Sequence, residues 1–223
     1  MELHQTSSGI ELNGIPNAVS LVSVGGSKAK MLADLILHQS DLVRANQYLE
    51  DINVLLDGPD TAREGLYVAA LTRCFKCFGK NESRRAYQLD ASVILANEPN
   101  GMTVYEELRL ERNKHVVHDE NSALQAYVGA VLNDGTHPYK VEKVLALAVG
   151  VELLQPRSWQ NLKHLVLSTL TFVDKEIDRL CHEITADLEA ESYATLMARA
   201  PMRLKPALTA DAGRRRDQSH LSS

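Results

Sequence analysis

Trp159, Leu162, Val166, Val173, Ile177, Leu180, Ile184 and Leu188 recur at intervals of three, four or seven residues over nearly thirty positions. A strand would alternate these side chains between two faces, whereas a helix keeps them in one apolar stripe. Such a helix runs roughly 45 Å at 1.5 Å per residue, so it either wraps a core or offers a surface to a partner. The chain is thereby committed to a mainly helical architecture.

Shorter stripes extend the pattern. From Ser40, a good N-cap, Leu42, Ala45, Leu49, Ile52 and Leu56 recur at helical spacing and stop at Asp57-Gly58-Pro59. Thr61-Ala62-Arg63-Glu64 forms a capping box, and the helix it opens runs to about Phe78 and is apolar on most sides. A shorter helix is expected near Tyr87 to Ala96, before Pro99-Asn100-Gly101, and Thr103-Val104-Tyr105-Glu106 repeats the capping box. Farther on, Ala126 to Leu132 and Val141 to Leu154 are rich in small and β-branched residues around a turn at Asn133 to Pro138. They predict a β-hairpin, although Glu142 to Val151 also fits a helix.

The first thirty residues mix Gly, Ser, Asn and Pro with a β-type run at Val19 to Val24, which reads as an irregular lead-in with room for one strand. Gly25-Gly26-Ser27-Lys28 lacks the earlier Gly and the Lys-Ser/Thr order of a phosphate loop. Past Arg199, prolines, small residues and Arg214-Arg215-Arg216 indicate a disordered basic tail. At 223 residues with 44% hydrophobic side chains, the body supports one core. We expect a lead-in over residues 1–30, a single helical domain over 31–198 and the tail over 199–223.

No run approaches the roughly 18 apolar residues needed to cross a bilayer, and the first twenty residues lack a basic start followed by an apolar block. Cys74, Cys77 and Cys181 are too few for a disulfide framework; Cys74 and Cys77 form a lone C-x-x-C that reads as buried thiols. These features predict a cytoplasmic protein with no membrane partner. The net charge of −5 argues against a surface that attracts nucleic acid everywhere. The charge is unevenly placed: six of the 24 Lys/Arg but only two of the 29 Asp/Glu lie in residues 199–223, leaving the body near −9 and the tail near +4. Between Arg63 and Arg85, six cations (Arg63, Arg73, Lys76, Lys80, Arg84, Arg85) face only Glu64 and Glu82, as in either a local basic cleft or a solvated helix end.

Chemistry concentrates where one apolar stripe breaks off. Val104 and Leu108 are followed at the next helical step by Arg112, with His115 and Asp119 on nearly the same face, inside Arg112-Asn113-Lys114-His115-Val116-Val117-His118. Guanidinium stays charged and offers forked donors to phosphate oxygens, and imidazole exchanges protons near neutral pH. On an ideal helix Arg112 and His118 sit about 120° apart around the axis and about 9 Å apart along it. Either the helix loosens between His115 and His118, or the two side chains converge only around a phosphate or a second subunit. A divalent site from His115, His118, Asp119 and Glu120 lacks a further ligand cluster, so no metal is expected.

The Arg112-Asn113 pair followed by His118 resembles the motif of the HEPN superfamily, small all-helical domains associated with nucleotides or RNA. Leu66 to Phe78 is similar to the apolar helix that precedes the motif in bacterial relatives, with Lys76 in the place of a second Arg, and the likeness covers roughly Ser40 to Asn121. The resemblance implies a HEPN-like helical bundle and metal-independent, cofactor-free endoribonucleolytic cleavage of toxin or phage-defence type. It implies a homodimer that brings two motifs together, with RNA as substrate and a cognate antitoxin as a further partner. Arg112 would hold the phosphate, His118 would move protons, Asn113 would assist, and His115 is the competing imidazole. Arg73 and Lys76 are expected near the same groove as RNA- or phosphate-binding residues. The reading that stays open beside it is a non-catalytic nucleotide-binding or protein-interaction module in which the motif is a structural network.

Overall fold

A computed structural model describes residues 2–5, 10–15, 17–55, 60–79, 87–117, 124–150 and 155–202. Its elements are strands β1 (Glu2–Gln5) and β2 (Ile10–Asn13), helices α1 (Ser27–Val54), α2 (Asp60–Phe75), α3 (Ala91–Ile94) and α4 (Gly101–Glu111), and a π-helical segment (Arg112–Val117). Strands β3 (Leu124–Leu132) and β4 (Val141–Gly150) and helices α5 (Pro156–Glu189) and α6 (Tyr193–Met197) follow. The protein is mainly helical with small antiparallel sheets. Among the described residues no helix is long and apolar enough to cross a membrane.

The chain divides into two compact units: Met1–Ser40, Cys77–Leu89 and Leu170–Ser223 form one, and Asp41–Lys76 with Asp90–Thr169 form the other. In the first, α1 turns Asp34, Leu35 and His38 inward, all three buried, while α5 contributes Val173 and Leu180. The two polar residues are matched by main chain. Asp34 Oδ2 accepts the Tyr87 N–H at 3.0 Å, and His38 Nε2 lies 2.9 Å from the Tyr87 carbonyl. Because a carbonyl only accepts, that contact places the imidazole proton on Nε2. The Leu89 N–H donates to the Cys77 carbonyl. Segment 77–89 is thus held at both of its described ends.

In the second unit, Leu42, Ala45, Leu49 and Ile52 of α1 are fully or almost fully buried, as are Tyr67, Ala70, Leu71 and Cys74 of α2 and Leu162, Leu165 and Val166 of α5. Each buried leucine or isoleucine contributes roughly 1.5–3 kcal/mol relative to exposure. Trp159 reaches across to donate its indole N–H to the Leu49 carbonyl at 3.2 Å, so a large apolar ring enters the core with its one donor satisfied. β3 and β4 pair antiparallel from Leu124↔Gly150 to Leu132↔Val141, with a register shift at Val131/Leu132.

The expected β-hairpin is present, with β4 over Val141–Gly150 where the alternative was a helix from Glu142; Val151 to Leu154 lie outside the described residues. The long stripe becomes α5. Several boundaries depart from expectation. α1 starts at Ser27, directly after Gly26 in the left-handed region at φ +97°, not at Ser40. Its first turns carry Asp34 and His38 at core positions, and a hydropathy pattern cannot register polar residues that distant main chain satisfies. Val19 to Val24 holds a single bridge, Val22 with Pro201, while the N-terminal strands are β1 and β2. The helix expected from Tyr87 shrinks to Ala91–Ile94, capped by Asp90, because Tyr87 to Leu89 bond back to Asp34, His38 and Cys77. α4 begins at Gly101 behind Asn100, which adopts a left-handed φ of 61°, so Thr103 lies inside the first turn and caps nothing. Leu56, Lys80, Arg84, Arg85 and the tail from residue 203 onward lie outside the described residues.

Candidate functional site

α4 delivers the motif. Leu108 is 2% exposed, and one turn later Arg112 occupies the continuation of that stripe, half-buried. At Arg112 the backbone changes from α to π geometry and keeps it through Val117. A π turn bonds i to i+5 and is wider than an α turn; such segments cost helix regularity and recur at functional positions. Of the two alternatives drawn from the sequence, a loosened helix is seen over Arg112–Val117, and His118 lies outside the described residues. The π segment packs beside α2.

The Arg112 side chain donates from Nη1 to Asn113 Oδ1 at 2.9 Å, so the two motif residues are joined directly. Arg112 Nε is buried and has no hydrogen-bond partner among the described residues. Glu111 Oε1, the Tyr67 hydroxyl and Arg63 Nε share that condition. Arg63 and Tyr67 are one turn apart on α2, and the Tyr67 hydroxyl lies within electrostatic and loose hydrogen-bonding range of Glu111. Arg63 keeps a looser ion pair, Nη1 to Asp60 at 3.5 Å. Buried polar atoms are ordinarily paired in more than nine cases in ten, so these orphans on α2, α4 and the π segment are unusual.

Burial drives the titration of this cluster. The Tyr67 phenol is pushed far above its ordinary range by burial and then by the Glu111 charge, while Ser158 acts weakly the other way. Burial also raises the Glu111 carboxyl. A raised carboxyl is protonated more readily than an ordinary one, which lessens its repulsion of an anion. Beside it lies the neutral phenol of Tyr67, while Arg63 on α2 and Arg112 in the π segment each carry a buried Nε–H with no partner.

Of the residues anticipated from sequence, Arg112 and Asn113 stand together. His115 lies in the π segment with its side chain outside the described residues, as is the whole of His118, and Asp119 and Glu120 fall there too. Lys114 is exposed. Arg73 is turned toward α1: Nη1 donates to Asp41 Oδ1 at 2.7 Å and the guanidinium lies 5.8 Å from the centre of the Tyr48 ring. On an ideal helix it sits about 120° around α2 and about 9 Å along it from Tyr67, so the structure pairs it with an internal carboxylate. Lys76 is exposed at the end of the same helix. Among the described residues no group of His, Cys, Asp and Glu could hold a metal ion, and none of the three cysteines is in a disulfide.

No protein-family model, curated protein or solved structure matches this chain. The site is therefore defined by its own geometry. Sequence reasoning missed Tyr67 and Glu111. Glu111 precedes the motif arginine directly, and Tyr67 follows Arg63 by one turn, but in a sequence both spacings are common and only packing unites them.

Proposed function

We propose that this protein is a metal-independent endoribonuclease of toxin or phage-defence type, a HEPN-like helical bundle whose Arg/His site works at a groove between two copies. The carrying observation is the π turn that starts at Arg112 and leaves its Nε buried without a partner, next to α2, where Arg63 Nε and the Tyr67 hydroxyl are in the same condition. In this reading an RNA phosphate occupies the position those donors leave open. Arg112 and Arg63 bind the non-bridging oxygens as charge builds on them. Asn113, already bonded to Arg112, holds the guanidinium in place. His118, with His115 as the competing imidazole, takes the proton from the ribose 2′-hydroxyl as its oxygen attacks phosphorus. The P–O5′ bond breaks as the imidazolium returns that proton to the departing 5′-oxygen, giving a 2′,3′-cyclic phosphate and a 5′-hydroxyl. Lys76, exposed at the end of α2, would guide the strand, and a cognate antitoxin would be the natural inhibitor.

The burial of Glu111 and Tyr67 favours a second reading, in which the cluster belongs to a nucleotide-binding or protein-interaction module and performs no chemistry. Incubation of the pure protein with mixed RNA in excess chelator separates them. Cleavage ending in cyclic phosphate, lost in Arg112→Ala and His118→Ala while the melting temperature stays near wild type, supports the nuclease. An intact RNA pool, or cleavage unaffected by both substitutions, refutes it.

A further inference from the structure

Two charged side chains follow one another where α4 should keep its apolar face. Glu111 and Arg112 come three and four residues after buried Leu108, which places them about 60° to one side of it and about 40° to the other on an ideal helix. Both are half-buried, although apolar side chains would stabilise such positions better than charges drawn out of water. A neighbouring carboxylate is the natural partner of a guanidinium, because a charged acceptor bonds it more strongly than a neutral amide does. Arg112 is able to reach a sequence neighbour, since it donates to Asn113 Oδ1 at 2.9 Å. Yet Glu111 Oε1 and Arg112 Nε are each buried without a hydrogen bond among the described residues.

What the carboxyl meets is on α2. Tyr67 is 0% exposed, and its hydroxyl lies within loose hydrogen-bonding range of Glu111, with Ser158 of α5 also close to it. Apart from burial, this phenol is the group that acts on the Glu111 carboxyl. Its O–H is a donor that a carboxylate accepts, and its ring is held in place by the core of the second unit. The consequence for Arg112 is electrostatic. A carboxylate closed onto the guanidinium would cancel its charge and fill the fork of donors that a phosphate uses, whereas a carboxylate held on α2 leaves both available.

We infer that Tyr67 is a positioning residue, which keeps the Glu111 carboxyl off Arg112 and so leaves the motif guanidinium open to an RNA phosphate. The identity of that anion rests on the ribonuclease reading; the separation of Glu111 from Arg112 does not. Removing the Tyr67 hydroxyl frees Glu111 to close the adjacent ion pair, and RNA must then compete with an internal carboxylate for the same donors. Exchanging the carboxyl for an amide in that background removes the competitor.

The test is a rescue in the full chain. Tyr67→Phe should weaken binding of a 2′-O-methyl RNA oligonucleotide, which lacks the attacking hydroxyl, by about tenfold or more in fluorescence anisotropy at constant salt. The double variant Tyr67→Phe/Glu111→Gln should recover most of that loss. If Tyr67 touched RNA itself, or only supported the core, the double variant would stay as weak as the single, and that result overturns the inference. So does a Tyr67→Phe protein that binds as tightly as a binding-competent wild type. A second readout needs no RNA. The Arg112 Nε–H resonance in 1H–15N spectra, assigned by its loss in Arg112→Lys, should shift in Tyr67→Phe and return toward its wild-type position in the double variant. A resonance that Tyr67→Phe leaves in place overturns the inference whatever RNA does. A wild type that neither binds nor cleaves RNA, with the resonance moving as expected, upholds the positioning role and refutes only the ribonuclease.

Discussion

Replacing Tyr67 by Phe removes one oxygen and leaves the ring that packs the core. Tyr67 is 0% exposed and its hydroxyl has no hydrogen-bond partner among the described residues. A hydroxyl taken from water without a compensating bond costs about 1–3 kcal/mol. The aromatic surface buried on folding is the same in both side chains, so the difference between them is that penalty less what the hydroxyl gains from Glu111 and Ser158 nearby. Tyr67→Phe should therefore stabilise the protein without ligand by about 1–3 kcal/mol. For a chain of this size each kcal/mol raises Tm by roughly 2–4 °C. Urea unfolding followed by circular dichroism gives the free energy, with an unchanged m-value confirming that the two native states are equally compact. Under the proposed ribonuclease function, RNA cleavage should also fall in this variant, because the site has lost a donor. A fall in stability of about 0.5–1.5 kcal/mol, the net worth of an ordinary hydrogen bond, would show that the hydroxyl is satisfied and would refute the picture of a cluster awaiting a ligand.

Glu111→Gln should stabilise the protein at neutral pH by an amount that depends on pH. Burial raises the Glu111 carboxyl above its unfolded value, so ionising it costs folded-state stability; the cost is absent below about pH 4, grows through the raised pKa and is complete above it. Denaturation curves of the two proteins should accordingly converge in acid and separate as pH rises, and a constant difference would contradict this. Gly101→Ala should destabilise by about 1–3 kcal/mol despite alanine's better helix propensity. The added Cβ would stand 3.0 Å from both Glu98 Cβ and Leu95 Cβ, and a Tm at or above wild type would show that the α3–α4 connection yields.

The helical stripes were legible because they are properties of near neighbours. Leu42, Ala45, Leu49 and Ile52 all proved buried in α1, and the run from Trp159 to Leu188 falls within one helix. Strand propensity around a turn at Asn133 to Pro138 likewise found β3 and β4. The start of α1 was hidden because Asp34 and His38 read as surface residues until the Tyr87 main chain, about fifty positions away, is set against them. Likewise, the sequence recognises Arg73 only as a cation, and folding pairs it with Asp41.

At the site, the chain's own order determined that an arginine and an asparagine would interrupt the Val104–Leu108 stripe. Their hydrogen bond joins sequence neighbours. Tertiary structure alone decided that Arg112 would open a π turn, that Tyr67 and Glu111 would be brought together from 44 positions apart, and that an apolar hairpin would stand uncovered. The physical reason is that periodicity is written in adjacent residues, whereas desolvation and the pairing of polar atoms depend on whichever distant segments exclude the water.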